Sequence, residues 1–246
     1  MSAPNWEDVV ILAGQLASQP LGAEAAVQLK TVIGRSSRRP LKLGGPVVAF
    51  GKIGEALPEN PAEPIKRILA VDTDLAKADA VVISPPLAAV KSVWDLLVLV
   101  QKLRDLTGGK PIGLKIVAGK IEDDMAWVRK STADFVIIES RDLPLVFALY
   151  RARKFLNDNE IENVDLVAAG DLKTPSDIVK AMALGASAAA LDLPTGKKAD
   201  EFLRTLNLEL ARLVRTVGKD DIHELAPADL ATTTREISDF TNIKHV

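Results

Sequence analysis

The sequence predicts an α/β protein built as a TIM (β/α)8-like barrel, complete or incomplete, with an N-terminal β layer and C-terminal helices. This fold class is indicated chiefly by residues 112–192, where short apolar runs alternate with longer amphipathic segments. Such alternation is typical of βαβ units that form a parallel sheet. The apolar runs predict strands at Ile112–Val117, Asp134–Ser140, Asp165–Gly170 and Ala188–Leu193.

Further strand candidates precede this stretch. Residues 51–64 carry three prolines and two glycines, which predict an irregular loop. The candidates around that loop are Val9–Leu12 and Leu29–Ile33 in a hairpin-like N-terminal layer, Val47–Phe50 as the first barrel strand, and then Ile68–Val71 and Ala80–Ile83. The last two lie too close together for an ordinary crossover helix, so regular alternation is interrupted there.

Capping residues mark several helix starts. Ser92 with Asp95 three residues later fits a capping box, and Thr174, Pro175 and Asp177 fit a second helix start. The predicted helices cover 92–106, Ile121–Lys130, Leu145–Asn157, a segment from Thr174 to Gly185, Ala199–Val217 and Pro227–Phe240. In the first helix we expect a core-facing apolar stripe of Trp94, Leu97, Val98, Val100, Leu103 and Leu106.

Length and composition favour one globular domain. The 246 residues can form one substantial core, and we expect a single domain over 1–246, with an N-terminal layer at 1–46, the barrel at 47–194 and C-terminal helices at 195–246. The sequence has no run long enough to span a membrane and no signal-peptide pattern at its start. A soluble, cytoplasmic protein is therefore expected.

Charge and side-chain chemistry exclude several function classes. The net charge is -2, from 31 basic and 33 acidic residues, so no nucleic-acid footprint is expected. The chain has no cysteine and two histidines, which argues against an iron–sulfur cluster and against a metal site. A protein partner, a homo-oligomer or a small anionic ligand remain open.

The candidate site lies where the predicted strands end, because barrel enzymes act at the carboxyl ends of their strands. Lys115 interrupts an apolar strand, and a lysine there needs an anion, a polar cavity or a carboxylate partner such as Glu139, Asp171 or Asp192. The other strand-end candidates are Ser84, Arg141 and Gly170. Either a ligand contact or structural pairing would account for Lys115.

Several segments resemble the flavin-binding central barrel of glutamate synthase in its archaeal-type form. The strongest is TGGKPIGLKIVAGKIEDDM at 107–125, with KTVIGRSSRRPLKLGGPVV at 30–48 and ADAVVISPP at 78–86 before it. AAGDLKTPSDIVKAMALGASAAAL at 168–191 and LARLVRTVGKDDIHELAPADL at 210–230 follow in the same order. The resemblance implies FMN as a cofactor, with Lys115, Ser84 and Gly170 as its contacts. It assigns no catalytic residue.

The sequence also departs from that family. Asp171 and Asp192 stand where the resemblance implies phosphate-facing glycines, and two carboxylates would repel a phosphate. The family's glycine-rich loop after the strand at 134–140 is missing, and so are the cysteines that would hold an iron–sulfur cluster. The region after the first strand is shorter than in the family, which implies lost or replaced barrel strands. Two hypotheses follow. One is a non-catalytic subunit, regulator or sensor without FMN. The other is an FMN-dependent oxidoreductase of glutamate biosynthesis acting on a 2-oxoglutarate-like substrate.

Overall fold

The structure is a computed structural model that describes residues 9–11, 50–53, 80–83, 92–140, 143–170, 172–191 and 197–246. Its central feature is a parallel sheet of six strands in the order β2-β3-β4-β5-β6-β7. These strands are Phe50–Ile53 (β2), Ala80–Ile83 (β3), Ile112–Val117 (β4), Phe135–Glu139 (β5), Asp165–Ala169 (β6) and Ala188–Ala189 (β7). Each pairs with its neighbour in sequence order, as predicted for consecutive βα units.

The sheet has the strand order of an α/β barrel that is not closed. Among the described strands β2 lies at one edge and β7 at the other. The predicted TIM-like barrel of incomplete form is thereby confirmed. The predicted first strand does not end at Phe50, because residues 51–53, predicted to be loop, continue it and form ladder hydrogen bonds with β3. Residues 47–49 lie outside the described part of the chain. Ile68–Val71 and Leu29–Ile33 lie outside the described residues.

The helices follow the predicted boundaries closely. They are Val93–Leu106 (α1), Ile121–Ser131 (α2), Leu145–Asp158 (α3), Pro175–Ala183 (α4), Lys197–Thr216 (α5) and Arg235–Thr241 (α6). The predicted capping box at Ser92 forms, and the predicted N-cap Thr174 also forms one: Asp95 N–H donates to the Ser92 hydroxyl at 3.2 Å, and Asp177 N–H donates to that of Thr174 at 3.2 Å. These caps satisfy donors that would otherwise be orphaned at the helix start. None of the described helices combines the length and apolar character needed to cross a bilayer.

The segment Pro227–Phe240 is not one helix, as the sequence predicted. It forms a 3-10 turn at Pro227–Asp229, strand β8 at Leu230–Thr232 and then α6. Strand β8 pairs antiparallel with β1 (Val9–Ile11) and parallel with β9 (Lys244–His245). The N-terminal layer is therefore completed by C-terminal residues, because the buried Leu230–Thr232 gains its hydrogen bonds from a distant strand.

Two apolar clusters lie on opposite faces of the main sheet. The larger packs between the strands and the helices. The smaller, which we call the inner face, consists of Ala80, Val82, Phe135, Ile137, Val167 and Ala169. Gly113 makes room for its largest member, since a Cβ at Gly113 would lie 2.1 Å from the Phe135 ring. Strand alternation places Lys115, two residues after Gly113, on this same inner face.

Helix α1 buries only part of the stripe that the sequence predicted, since Val100 and Leu103 are buried as expected and other members are exposed. Trp94 is 75% exposed and Val98 is 46% exposed, although both were expected in the core. Leu106 is also exposed. The buried residues are Leu96, Leu99, Val100 and Leu103. The segment from Val93 to Val100 is apolar at almost every position, so its periodicity does not fix which side faces the sheet.

Shortening one side chain on each side of α1 should show which side is buried in the core. We expect Leu103→Ala to lower the free energy of unfolding by about 2–5 kcal/mol, because it opens a cavity in the core. Trp94→Ala should change it by no more than about 0.5 kcal/mol, because that side chain is exposed. Urea denaturation followed by circular dichroism measures both. Equal losses for the two variants would contradict the observed orientation of α1.

Candidate functional site

A cavity of about 630 Å³ opens at the carboxyl ends of β4, β5, β6 and β7. Strand ends supply Lys115, Glu139 and Gly170, and helices α4 and α5 supply the facing walls. Its size falls in the range of small-molecule pockets. Its position is that of the active site in α/β barrels. The cavity is therefore the candidate functional site.

Lys115 lies in this cavity and is paired. Its Nζ lies 2.5 Å from Oε1 of Glu139, and the two side chains are 21% and 19% exposed. Lys115 stands opposite Ile137 in the ladder, so Glu139 lies two residues further along β5 on the same face. Of the carboxylates considered from the sequence, Glu139 is a partner in the structure. Asp171 and Asp192 lie outside the described residues.

Gly170 also lines the cavity, and its lack of a side chain has a local cause. Its φ is +109°, a conformation that other residues rarely adopt. A Cβ there would lie 2.7 Å from the carbonyl oxygen of Ser140. The Ser140 N–H in turn donates to Ala169 O at 3.1 Å. Close approach of the chain after β5 to the chain after β6 therefore requires this glycine, whatever the cavity binds.

The start of α4, at the rim of the cavity, already carries a carboxylate. Asp177 is 8% exposed, and its Oδ2 accepts hydrogen bonds from the backbone N–H groups of Thr174 at 2.8 Å and Lys173 at 3.1 Å. Lys180 Nζ lies 3.8 Å from Oδ1. A helix N-terminus attracts anions through such N–H groups and its dipole. Here the Asp177 carboxylate engages the N–H of the N-cap residue Thr174 and that of Lys173 before it, and its negative charge offsets the positive end of the helix.

The structure brings together two of the residues singled out in the sequence, Lys115 and Gly170. Ser84 and Arg141, like Asp171 and Asp192, lie outside the described residues. Within the described part of the chain no group of three His, Cys, Asp or Glu side chains could hold a metal ion.

Sequence reasoning missed the contribution of α5. Phe202, Thr205, Leu206 and Glu209 line the cavity from this helix. Their spacing of three, four and seven residues marks one helix face. That signal was present in the sequence, but it does not reveal that this face turns toward the strand ends. Contacts between α4 and α5 fix that orientation.

An open parallel sheet with helices on its outer face and a cavity at its strand ends defines an α/β-barrel protein. Solved structures with this fold include the flavin-binding domain of baker's yeast flavocytochrome b2, at a TM-score of 0.58 and 14% identity over 74% of this chain and 53% of that chain. A mandelate oxidase mutant with a monooxide FMN adduct matches at 0.54 and 16%, over 72% and 60%. At these identities the likeness establishes the fold.

The sequence comparisons are more specific. Residues 74–193 match the family described as the conserved region in glutamate synthase. An archaeal-type glutamate synthase [NADPH] of Thermotoga neapolitana is 30% identical over 158 residues, covering 55% of this chain and 30% of that protein. A glutamate synthase large subunit-like protein of Rhizobium meliloti is 22% identical over 219 residues, covering 61% and 50%. The chain therefore contains a divergent glutamate synthase-related domain, and it spans half or less of these relatives.

The pair at the cavity can be tested by a double-mutant cycle. Glu139→Gln should lower the free energy of unfolding by about 1.5–3 kcal/mol, because it leaves the Lys115 ammonium without its charged partner. Lys115→Met with Glu139→Gln should cost less than the sum of the single changes. Chemical denaturation at neutral pH measures each variant.

The exposed pair of Glu122 and Arg151 is the matched control. Its side chains are 50% and 41% exposed. Glu122→Gln should therefore cost no more than about 1 kcal/mol. Strict additivity at Lys115 and Glu139 would show that the two side chains do not interact in solution.

Proposed function

We propose that this chain is a glutamate synthase-like barrel that has lost FMN and iron–sulfur binding and acts as a non-catalytic subunit, regulator or sensor. The observation that carries the proposal is the ion pair of Lys115 and Glu139 inside the cavity. The resemblance to glutamate synthase implies that Lys115 faces a flavin. A lysine held by a carboxylate at 2.5 Å offers such a ligand much less positive charge.

The phosphate of FMN meets a similar obstacle. Asp177 engages N–H groups at the start of α4, where a phosphate would otherwise be favoured. In the sequence, Asp171 and Asp192 follow directly on the cavity residues Gly170 and Leu191 and replace glycine positions of the family pattern. A carboxylate at about 4 Å repels a unit of phosphate charge by about 4 kcal/mol at an effective dielectric near 20. The residues present therefore fit a flavin phosphate poorly.

The absence of cysteine supports the loss of the cluster in this chain. Iron–sulfur clusters are held by cysteine thiolates, and the 246 residues contain none. We also propose a cytoplasmic location, consistent with the lack of cysteine, and either a protein partner or self-association.

A second candidate is an FMN-dependent oxidoreductase of glutamate synthase type, acting on a 2-oxoglutarate-like substrate. It is favoured by the cavity of about 630 Å³ at the strand ends, lined by both Lys115 and Gly170. FMN would supply redox chemistry at that position, and Lys115 could balance negative charge on a reduced flavin. This candidate requires the lysine to leave Glu139.

Flavin titration distinguishes the two candidates. When the purified protein is added to FMN, we expect no shift in the visible spectrum and no quenching of flavin fluorescence at micromolar concentrations. Riboflavin, which lacks the phosphate, serves as the comparison. Micromolar or tighter FMN binding with a protein-bound flavin spectrum would refute the loss of the cofactor and favour the oxidoreductase.

Replacing the two aspartates tests the cause of that loss. Asp171→Gly together with Asp192→Gly should raise FMN affinity at least tenfold, because it removes two negative charges from positions that the resemblance places near the phosphate. Riboflavin affinity should not change. If FMN affinity also stays unchanged, repulsion by these carboxylates is not what excludes FMN.

A further inference from the structure

We propose that the outer face of α1 and α2 is the surface through which two copies of this chain form a twofold dimer. At its centre is the tryptophan patch, which consists of Trp94 and Val98 on α1 and Trp127 on α2, at 75%, 46% and 38% exposure. Exposed apolar patches mark interaction surfaces, and tryptophan is enriched in the cores of interfaces. The inference rests on the self-association included in the proposed function, and it names the surface that would carry it.

Trp127 lies on the flank of α2 that is turned toward α1. The opposite flank carries Glu122 and Arg129, which contact Arg151 and Asn159 of α3. At about 100° per residue, Trp127 is turned roughly 150° around the helix from both Glu122 and Arg129. Its exposed indole therefore borders the outer face of α1.

Contacts between α1 and α2 fix the relative height of the two helices. Gln101 Nε2 donates to Thr132 Oγ1 at 3.3 Å, and Arg104 Nη2 donates to Thr132 O at 2.9 Å. Both helices connect parallel strands, so they run in the same direction. At a rise of about 1.5 Å per residue, Val98 and Trp127 each lie about 7 Å before the level of Thr132. The two side chains therefore lie side by side on neighbouring helices.

The charges beside the tryptophan patch are arranged to complement a second copy. On α1 Asp95 lies seven residues before Lys102, and on α2 Asp123 lies seven residues before Lys130. Seven residues are about two helical turns, so the members of each pair lie on one face, and the patch lies between them in height. When two copies meet antiparallel around a twofold axis through the patch, each acid comes opposite the base of the other copy. A second copy of this chain is therefore the partner that the surface fits.

The size of the tryptophan patch suits the core of such a dimer. With about 250 Å² for a fully exposed tryptophan, the three side chains present roughly 350 Å² of apolar surface per copy. Each partner in a stable complex buries roughly 800 Å², with an apolar centre and a polar rim. The patch supplies the centre, and the two acid–base pairs supply part of the rim.

Sedimentation velocity of the full chain tests the dimer across about 1–100 μM. We expect a monomer–dimer equilibrium with a Kd of about 10 μM or lower. Trp94→Ala should raise that Kd about tenfold or more, because each copy loses an aromatic side chain from the centre of the interface. Leu208→Ala, at a 54% exposed position on α5, is the matched control and should leave the Kd unchanged.

Circular dichroism of dilute protein, in which the dimer has dissociated, checks that both variants keep the fold of the monomer. A chain that is monomeric at every concentration would overturn the inference. So would equal effects of Trp94→Ala and Leu208→Ala on the Kd.

A charge exchange on α2 tests the antiparallel arrangement. Lys130→Asp should raise the Kd about fivefold, because it places a carboxylate opposite Asp123 of the second copy. Combining it with Asp123→Lys exchanges the two charges and should return the Kd to within about threefold of the original value. A double variant that is as weak as Lys130→Asp alone would refute the arrangement.

FMN titration of the same protein keeps the two proposals apart. A monomer that does not bind FMN would reject this inference alone. A dimer that binds FMN would reject the proposed loss of the cofactor alone.

Discussion

The ion pair between Lys115 and Glu139 is the interaction on which the candidate site depends. A lysine on the inner face of a parallel sheet loses most of its hydration, so it needs a partner within hydrogen-bond distance. Glu139 meets that need from the neighbouring strand, at 2.5 Å. The pair therefore permits Lys115 to lie in β4 and reduces the positive charge that this lysine presents to a ligand.

The rest of the cavity is held by backbone constraints that do not depend on any ligand. Gly170 is required because a Cβ would collide with the carbonyl oxygen of Ser140. Asp177 completes the capping box with Thr174 at the start of α4, and its carboxylate accepts hydrogen bonds from two backbone N–H groups at the rim. Both residues belong to the stretch 74–193 that matches the conserved region in glutamate synthase. Their local roles would retain both residues whatever the cavity binds.

The likeness to flavin enzymes establishes the fold, whereas the side chains of the site decide which ligand it binds. Structures at 14% and 16% identity share the fold, and a fold hosts many activities. The match of residues 74–193 to the conserved region in glutamate synthase gives the ancestry of the domain. What the cavity recognises is decided by individual charges, and here the lysine on β4 is already paired with Glu139.

The sequence by itself determined the strands β4 to β6, the capped starts of α1 and α4, and the presence of Lys115 at a strand end. These features depend on neighbours within a few positions, such as Ser92 with Asp95. Tertiary structure decided which side of α1 is buried and why 230–232 form a strand. It also decided that Glu139 pairs with Lys115 and that one face of α5 lines the cavity. Each of these depends on contacts between residues far apart in the chain, and local patterns do not encode the distances that such contacts require.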